Sequence, residues 1–367
     1  ALGLKEEVEL ALKELRGEHL GRQVNLKNYL FELCSEYAPS GREELLVSLE
    51  RLVRPMADKL YRDRAGNLIA VKYSKIPGAE KIMLDAHADE VGLVVTGIDE
   101  RGFIHFANHA GIDDKILPAS AVTVLASRPL HGVVATLPPH LLKDADSEKT
   151  IKSKDMVIDV GYDEKTVKEL VRVGDFIALR SVCTDLQNRL VLGKSFDNRA
   201  SCAVLVQVLA MLCSVRPRYD VYMVFSAAEE FGGYGAHTAA FEIAPDEALI
   251  LDTTFAVSPY TDKSKGRELG GGCAVGISPI LDTHMTEAVI GVARSHAIPY
   301  QTEVMSGKTG TDADNVTCAR DGVPCALLSI PLRYMHSAGE IVSLSDMENT
   351  VRLILGYVEY RGGNRIE

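Results

Sequence analysis

Lys81-Ile82-Met83-Leu84-Asp85-Ala86-His87-Ala88-Asp89-Glu90 is the stretch whose reading decides the fold. An apolar run of strand length that ends on a histidine and two acids reads as a buried strand with polar groups at its carboxyl end. The same pattern recurs along the chain: Glu230 follows Val221-Tyr222-Met223-Val224-Phe225, Asp252 follows Leu249-Ile250-Leu251, and His336 follows Leu327-Leu328-Ser329-Ile330. Asp197 sits in Lys194-Ser195-Phe196-Asp197, where the chain leaves an extended run for a long apolar helix. In open α/β sheets, ligands gather outside the carboxyl ends of the strands, so side chains placed there repeatedly can converge on one crevice.

Outward from these strands, helical spacing of apolar residues marks Leu4 to Leu15, Leu26 to Tyr37, Asn198 to Leu212, Thr283 to Ser295 and Ser345 to Tyr360. Ser40 with Glu43 three residues on is a capping-box signature for a helix reaching about Val53. A hairpin is expected from Lys59–Arg62 and Leu68–Lys72 around Ala65-Gly66-Asn67. Between Gly92 and Cys183 the texture changes to short β-rich runs broken by Gly, Pro and charged turns, the pattern of a small barrel or sandwich. The expected fold is therefore α/β, with residues 1–91 and 184–367 forming one mixed-sheet domain, residues 92–183 a β-rich insertion, and residues 1–24 a helical extension.

With 46% hydrophobic and 25% charged residues, the 367-residue chain has an ordinary globular composition. Its net charge of −11, without clustered Lys and Arg, argues against nucleic acid or an anionic membrane as a partner. No apolar run is long enough to span a bilayer, and the seven cysteines have no CxxC spacing. A cytoplasmic chain with reduced cysteines is expected.

The candidate chemistry follows from the residue types. Two histidines and three acids, His87, Asp197, Glu230, Asp252 and His336, suffice for a two-metal hydrolytic centre. Each alone has a bland alternative: a lone His-x-Asp is more often structural, and Asp197 by position reads as a helix N-cap. Five such coincidences together favour a metal site. Adjacent Glu229 and Glu230 repel unless a cation or a proton lies between them, which allows one to bind metal while the other takes a proton from water. Asp89 is placed to accept the second N–H of His87. Lys194, Asn198 and Arg199 flank Asp197 and are expected to orient it. Gly270-Gly271-Gly272 lacks the flanking residues of a phosphate loop and reads as a tight turn or a close approach to substrate. The absence of a GxSxG elbow and of a cysteine beside a convincing base leaves covalent catalysis without support.

Taken together, Leu84-Asp85-Ala86-His87-Ala88-Asp89-Glu90-Val91-Gly92, Ser195-Phe196-Asp197-Asn198-Arg199, Ala228-Glu229-Glu230, Asp252-Thr253-Thr254-Phe255 and Arg333-Tyr334-Met335-His336-Ser337 resemble the M42 family of metallo-aminopeptidases. That family includes the TET peptidases and proteins labelled glutamyl aminopeptidase or endoglucanase. The resemblance implies a three-layer metallopeptidase domain with an inserted barrel-like oligomerisation domain, and a homo-oligomer of up to twelve subunits. It also implies two divalent ions, zinc or cobalt, with Asp197 bridging, His87 and Asp252 on one, Glu230 and His336 on the other, Glu229 as general base and Asp89 as partner of His87. The substrate would be a short peptide losing its amino-terminal residue. A two-metal deacylase or carboxypeptidase and a non-catalytic metal-bound scaffold are the competing readings. Arg333, Thr311 and Asp312 are the candidates for substrate binding, and Arg333 with Lys308 would favour an acidic side chain if they lined the pocket.

Overall fold

The structure is a computed structural model that describes residues 25–137, 150–214, 217–259, 261–262 and 264–363. The expected helix over Leu4 to Leu15 lies outside the described residues. Helices α1 (Leu26–Cys34) and α2 (Val47–Val53) lead into the hairpin β1 (Lys59–Arg62) and β2 (Leu68–Lys72), then β3 (Lys81–His87). Six strands next close into a barrel: β4 (Gly92–Ile98), β5 (Ile104–His109), β6 (Ala121–Leu125), β7 (Pro129–Ala135), β8 (Val157–Asp159) and β9 (Phe176–Leu179), with helix α3 (Glu164–Leu170) between the last two. Closure pairs each described strand of the insertion on both sides, which a sandwich would not do.

The chain returns through β10 (Thr184–Asp185) and β11 (Leu190–Gly193) to helix α4 (Phe196–Leu212), β12 (Asp220–Ser226), α5 (Tyr234–Ile243), β13 (Glu247–Phe255), β14 (Cys273–Ile277), α6 (Thr283–Ser295), β15 (Tyr300–Val304), α7 (Ala313–Val316), β16 (Cys325–Arg333), β17 (Glu340–Ser343) and α8 (Leu344–Gly363). The eleven-stranded mixed sheet runs β1-β2-β12-β3-β13-β16-β17-β11-β10, with β14 on β16 and β15 on β14. Its centre, β12-β3-β13-β16, is parallel throughout. These four strands are buried on both faces, and so their sequences are near-continuous apolar runs without alternation.

The two faces of β3 part into separate cores. Ile82, Leu84 and Ala86 pack with α1, α4, α6 and α8, whereas Met83 packs with the alanines of α5 and with α7. This is a three-layer arrangement. Helix α4 is buried nearly all round, as a helix apolar on every side must be. Among the described residues, no helix is long and apolar enough to cross a membrane, and all seven cysteines are free.

Ser40 does not cap a helix. The segment from Glu43 to Leu45 is a single 3₁₀ turn, and the Ser40 hydroxyl instead donates to Asp89 Oδ2 at 2.5 Å. Glu43 accepts from Gly41 N and Ala228 N at 2.8 and 3.0 Å. Gly270 N and Gly272 N both donate to Asp346 at 2.7 Å, so the glycine cluster is a turn that grips a carboxylate of α8.

Candidate metal centre

Because β12, β3, β13 and β16 are parallel neighbours, their carboxyl ends open on one side of the sheet. Ser226 stands in register with His87, which sets the loop carrying Glu229 and Glu230 beside the histidine. Asp252 pairs with Ser329 inside the sheet, three residues before β13 ends. His336 follows β16, and Asp197 lies in the first turn of α4, inside a helix start whose backbone is not yet helical. Ser195, Ala228 and His336 all take the left-handed conformation, a concentration of strained non-glycine backbone at one place.

The two oxygens of Asp197 face different imidazoles: Oδ1 lies 3.3 Å from His87 Nε2, and Oδ2 lies 3.2 Å from His336 Nε2. Asp252 Oδ1 is 3.8 Å from His87 Nε2, and Glu230 Oε1 is 3.0 Å from His336 Nε2. Glu229 Oε2 stands 3.9 Å from His87 Nε2. Two donor sets of metal-binding size result, His87 with Asp197 and Asp252, and His336 with Asp197 and Glu230. His87, Glu229 and Glu230 form a third grouping, but the Asp197-centred pair uses both oxygens of one carboxylate and accounts for all five residues.

Each imidazole is presented by a partner on its other nitrogen. His87 Nδ1 lies 3.4 Å from Asp89 Oδ1, and His336 Nδ1 lies 2.9 Å from the carbonyl oxygen of Gly111 in the barrel. A carbonyl oxygen only accepts, so Nδ1 of His336 carries a hydrogen and donates, and in the neutral ring the Nε2 lone pair faces Asp197 and Glu230. Asp89 accepts in addition from Ser40 Oγ and from the amides of Glu229 and Glu230, the latter two at 3.1 and 3.2 Å. Glu340 is the counterpart on the other side: it accepts from Phe196 N at 2.6 Å, Asp197 N at 3.2 Å and His336 N at 2.8 Å. The helix-start amides are thus capped by Glu340 and not by Asp197. Lys194 and Arg199 do not orient Asp197 either. They neutralise Glu90, at 2.7 and 3.3 Å, while Asn198 donates to Leu251 O.

The electrostatics are those of a crowded negative site. Burial pushes Glu229 up to about 8, with Asp312, Glu230 and Asp197 adding to it. Burial likewise raises Glu230 and Asp252, and the Asp197 charge adds to the rise in both. Burial would raise Asp197 too, but the facing imidazoles of His336 and His87 override it and hold that carboxyl well below its ordinary range. Burial opposes charging of His336, yet Asp197 and Glu230 bring it up to about 11. Asp197 Oδ1, Glu230 Oε1 and His87 Nδ1 are buried without a well-aligned hydrogen-bond partner. Buried donor atoms of Asp197 and Glu230 aimed at shared points, with more carboxylates than the imidazoles neutralise, fit divalent cations.

A cavity of about 330 Å³ opens over the cluster, lined by the five residues, Glu229, and a wall that includes Phe255, Glu303, Met305, Thr311 and Met335. Thr311 lines it; Asp312 and Arg333 do not. Asp312 is buried beside Asp85 and accepts from Ser226 Oγ at 2.7 Å, and Arg333 Nε donates to Val257 O at 2.6 Å. Lys308 is likewise off the wall.

The sequence matches the M42 glutamyl aminopeptidase family over residues 66–353. The chain belongs to the M42 family. A lysyl aminopeptidase from Pyrococcus furiosus is 32% identical over 330 residues, covering 89% of this chain and 93% of the relative. Among solved structures, the TET aminopeptidase from a marine sediment Thaumarchaeota archaeon superposes with a TM-score of 0.87 at 30% identity, over 94% of this chain and 97% of that one. The TET1 peptidase of Pyrococcus horikoshii, which can assemble into a tetrahedron or a large octahedral shell, superposes with a TM-score of 0.80 at 29% identity, over 91% and 99% of the two chains. This M42 chain is accordingly a peptidase of the aminopeptidase kind, in a family that uses divalent metal.

Gly111 and Glu303 carry no signal along the chain, for they lie outside the apolar runs that lead to the candidate ligands, and Ser40 carries a misleading one, that of a helix cap. For Glu340 the spacing offers one hint, an acid four residues after the candidate ligand His336.

Proposed function

We propose that this chain removes amino-terminal residues from short peptides at a two-cation centre that takes zinc or cobalt. The observation that carries the reading is Asp197, whose two oxygens face two separate imidazoles. His87 and Asp252 would complete one site, and His336 and Glu230 the other. Bound there, the cations would supply Lewis acidity toward the scissile carbonyl and lower the pKa of a water. Glu229, in neither Asp197-centred set and at the cavity wall, would take a proton from water and return it to the leaving amine. Asp89, 3.4 Å from His87 Nδ1, and the Gly111 carbonyl, 2.9 Å from His336 Nδ1, would fix the tautomers of the two histidines. The surplus of carboxylates would hold the α-ammonium of a free peptide end, which explains why an exopeptidase would come of this geometry.

The tetrahedral and dodecameric assemblies of TET1 relatives support a homo-oligomer for this chain, up to a dodecamer, in which residues 92–183 would be the contact domain. Free and N-acetylated aminoacyl-anilides and short peptides, assayed before and after chelation and with zinc or cobalt restored, test the reading. Metal-dependent cleavage of free-amine substrates alone is expected. Cleavage of the blocked ones would make the chain a deacylase, and silence on both with metal bound would leave a scaffold.

A further inference from the structure

The cavity over the metal centre carries one charged side chain that the metal site and its proton chemistry do not use. Glu303 lies on β15, in register with Gly276 of β14, and reaches the cavity wall. Its Oε1 accepts from Thr254 Oγ1 at 2.7 Å, which fixes the carboxylate at the rim of β13. No Lys or Arg lines the cavity. Among the described residues no cation pairs with Glu303, and Arg267, on the neighbouring segment, gives its guanidinium to the carbonyls of Thr302 and Ser264. Phe255, Met305, Leu327 and Met335 give the wall an apolar part beside the uncharged Thr309, Thr311 and Ser329. An apolar wall with a carboxylate on it suits a side chain with an aliphatic stem and a cationic head. The family name speaks of glutamyl substrates, but a glutamate side chain there would meet like charge and no partner.

We infer that Glu303 selects peptides whose amino-terminal residue is cationic, lysine or arginine, an inference that rests on the aminopeptidase reading of the same site. The ammonium or guanidinium head would take the free oxygen of Glu303 while the stem lies along Met305 and Leu327. A charge-assisted hydrogen bond of this kind is worth about 1.5–3 kcal/mol, so the preference should span about 10- to 100-fold in kcat/KM.

The test is the metal-loaded protein on Lys-, Arg-, Leu- and Glu-anilides, with Glu303→Gln and Glu303→Asp compared by the ratio of kcat/KM for Lys over Leu. Expected are Lys and Arg ahead of Leu and Glu, a ratio reduced about 10- to 100-fold in Glu303→Gln, and partial recovery of it in Glu303→Asp. A wild type that favours Leu or Glu overturns the inference without any variant being made. A ratio unchanged in Glu303→Gln also overturns it, including the case in which all free-amine substrates fall together because Glu303 holds the α-ammonium; in both, the aminopeptidase reading stands. Silence on every anilide sinks that reading, and this inference with it.

Discussion

The two donor sets of the candidate metal centre are built differently. His87 is 2% exposed, ends a central strand, and is held by Asp89, whose other partners, Ser40 and the amides of Glu229 and Glu230, all belong to the sheet domain. His336 is 26% exposed at its side chain, sits on a left-handed loop residue, and is held by Glu340 from one side and by the barrel's Gly111 carbonyl from the other. One half is intrinsic to the sheet; the other depends on how the inserted barrel docks. The barrel thus does more than fill out the molecule: it sets the tautomer of a histidine 225 positions away in the chain.

Glu229→Gln should give the largest effect and lies outside both Asp197-centred sets. Turnover should fall by about 10²- to 10⁴-fold with both cations retained, and near-normal turnover with full metal content would remove Glu229 as the base. Asp89→Asn comes next, because the amide cannot serve His87 Nδ1 and the two loop amides equally well. A loss of about 10- to 100-fold in metal affinity or activity is expected, read by metal titration and kcat, with the His87 half emptied first.

Glu340→Gln leaves one accepting oxygen for three amides. About a tenfold loss is expected, concentrated in the second equivalent of metal, so mass spectrometry at limiting metal should count closer to one ion per chain than two. Equal loss of both ions would break the distinction between the halves. The smallest effect belongs to Gly111→Ala. Its Cβ would stand 3.1 Å from His336 Cε1 and Nδ1, so the ring must give by a few tenths of an ångström. A few-fold fall in activity through the His336 half is expected, on the order of 1 kcal/mol for a shifted hydrogen bond; a fall as large as that of Asp89→Asn would show that the barrel controls both halves.

The fold was legible where apolar runs and turn residues speak locally. The hairpin Lys59–Arg62 with Leu68–Lys72 forms over those residues, and the six β-runs after Gly92 become strands, several of them longer than their apolar cores suggest. Legibility failed where a polar residue could satisfy a local or a distant partner. Ser40 and Glu43 fit a helix cap but serve Asp89 and Ala228 instead, because burying the Asp89 carboxylate without donors would cost more than a missing cap. Lys194 and Arg199 go to Glu90 for the same reason: that carboxylate is fully buried, and an unpaired buried charge costs about 3–5 kcal/mol. Arg333 and Asp312, candidates for substrate binding by the resemblance, are off the cavity wall: one bonds a carbonyl and the other turns into the core.

The sequence by itself determined that apolar runs lead to His87, Glu230, Asp252 and His336 and that a β-rich segment interrupts them, since hydrophobic periodicity is a local property of the chain. Only the tertiary structure decided that Asp197 turns one oxygen to each imidazole, that Glu340 and Gly111 hold one half of the centre while Asp89 holds the other, and that Glu303 faces the cavity. Those relations depend on parallel strand order and barrel docking, which bring together residues up to 225 positions apart, and no periodicity along the chain encodes them.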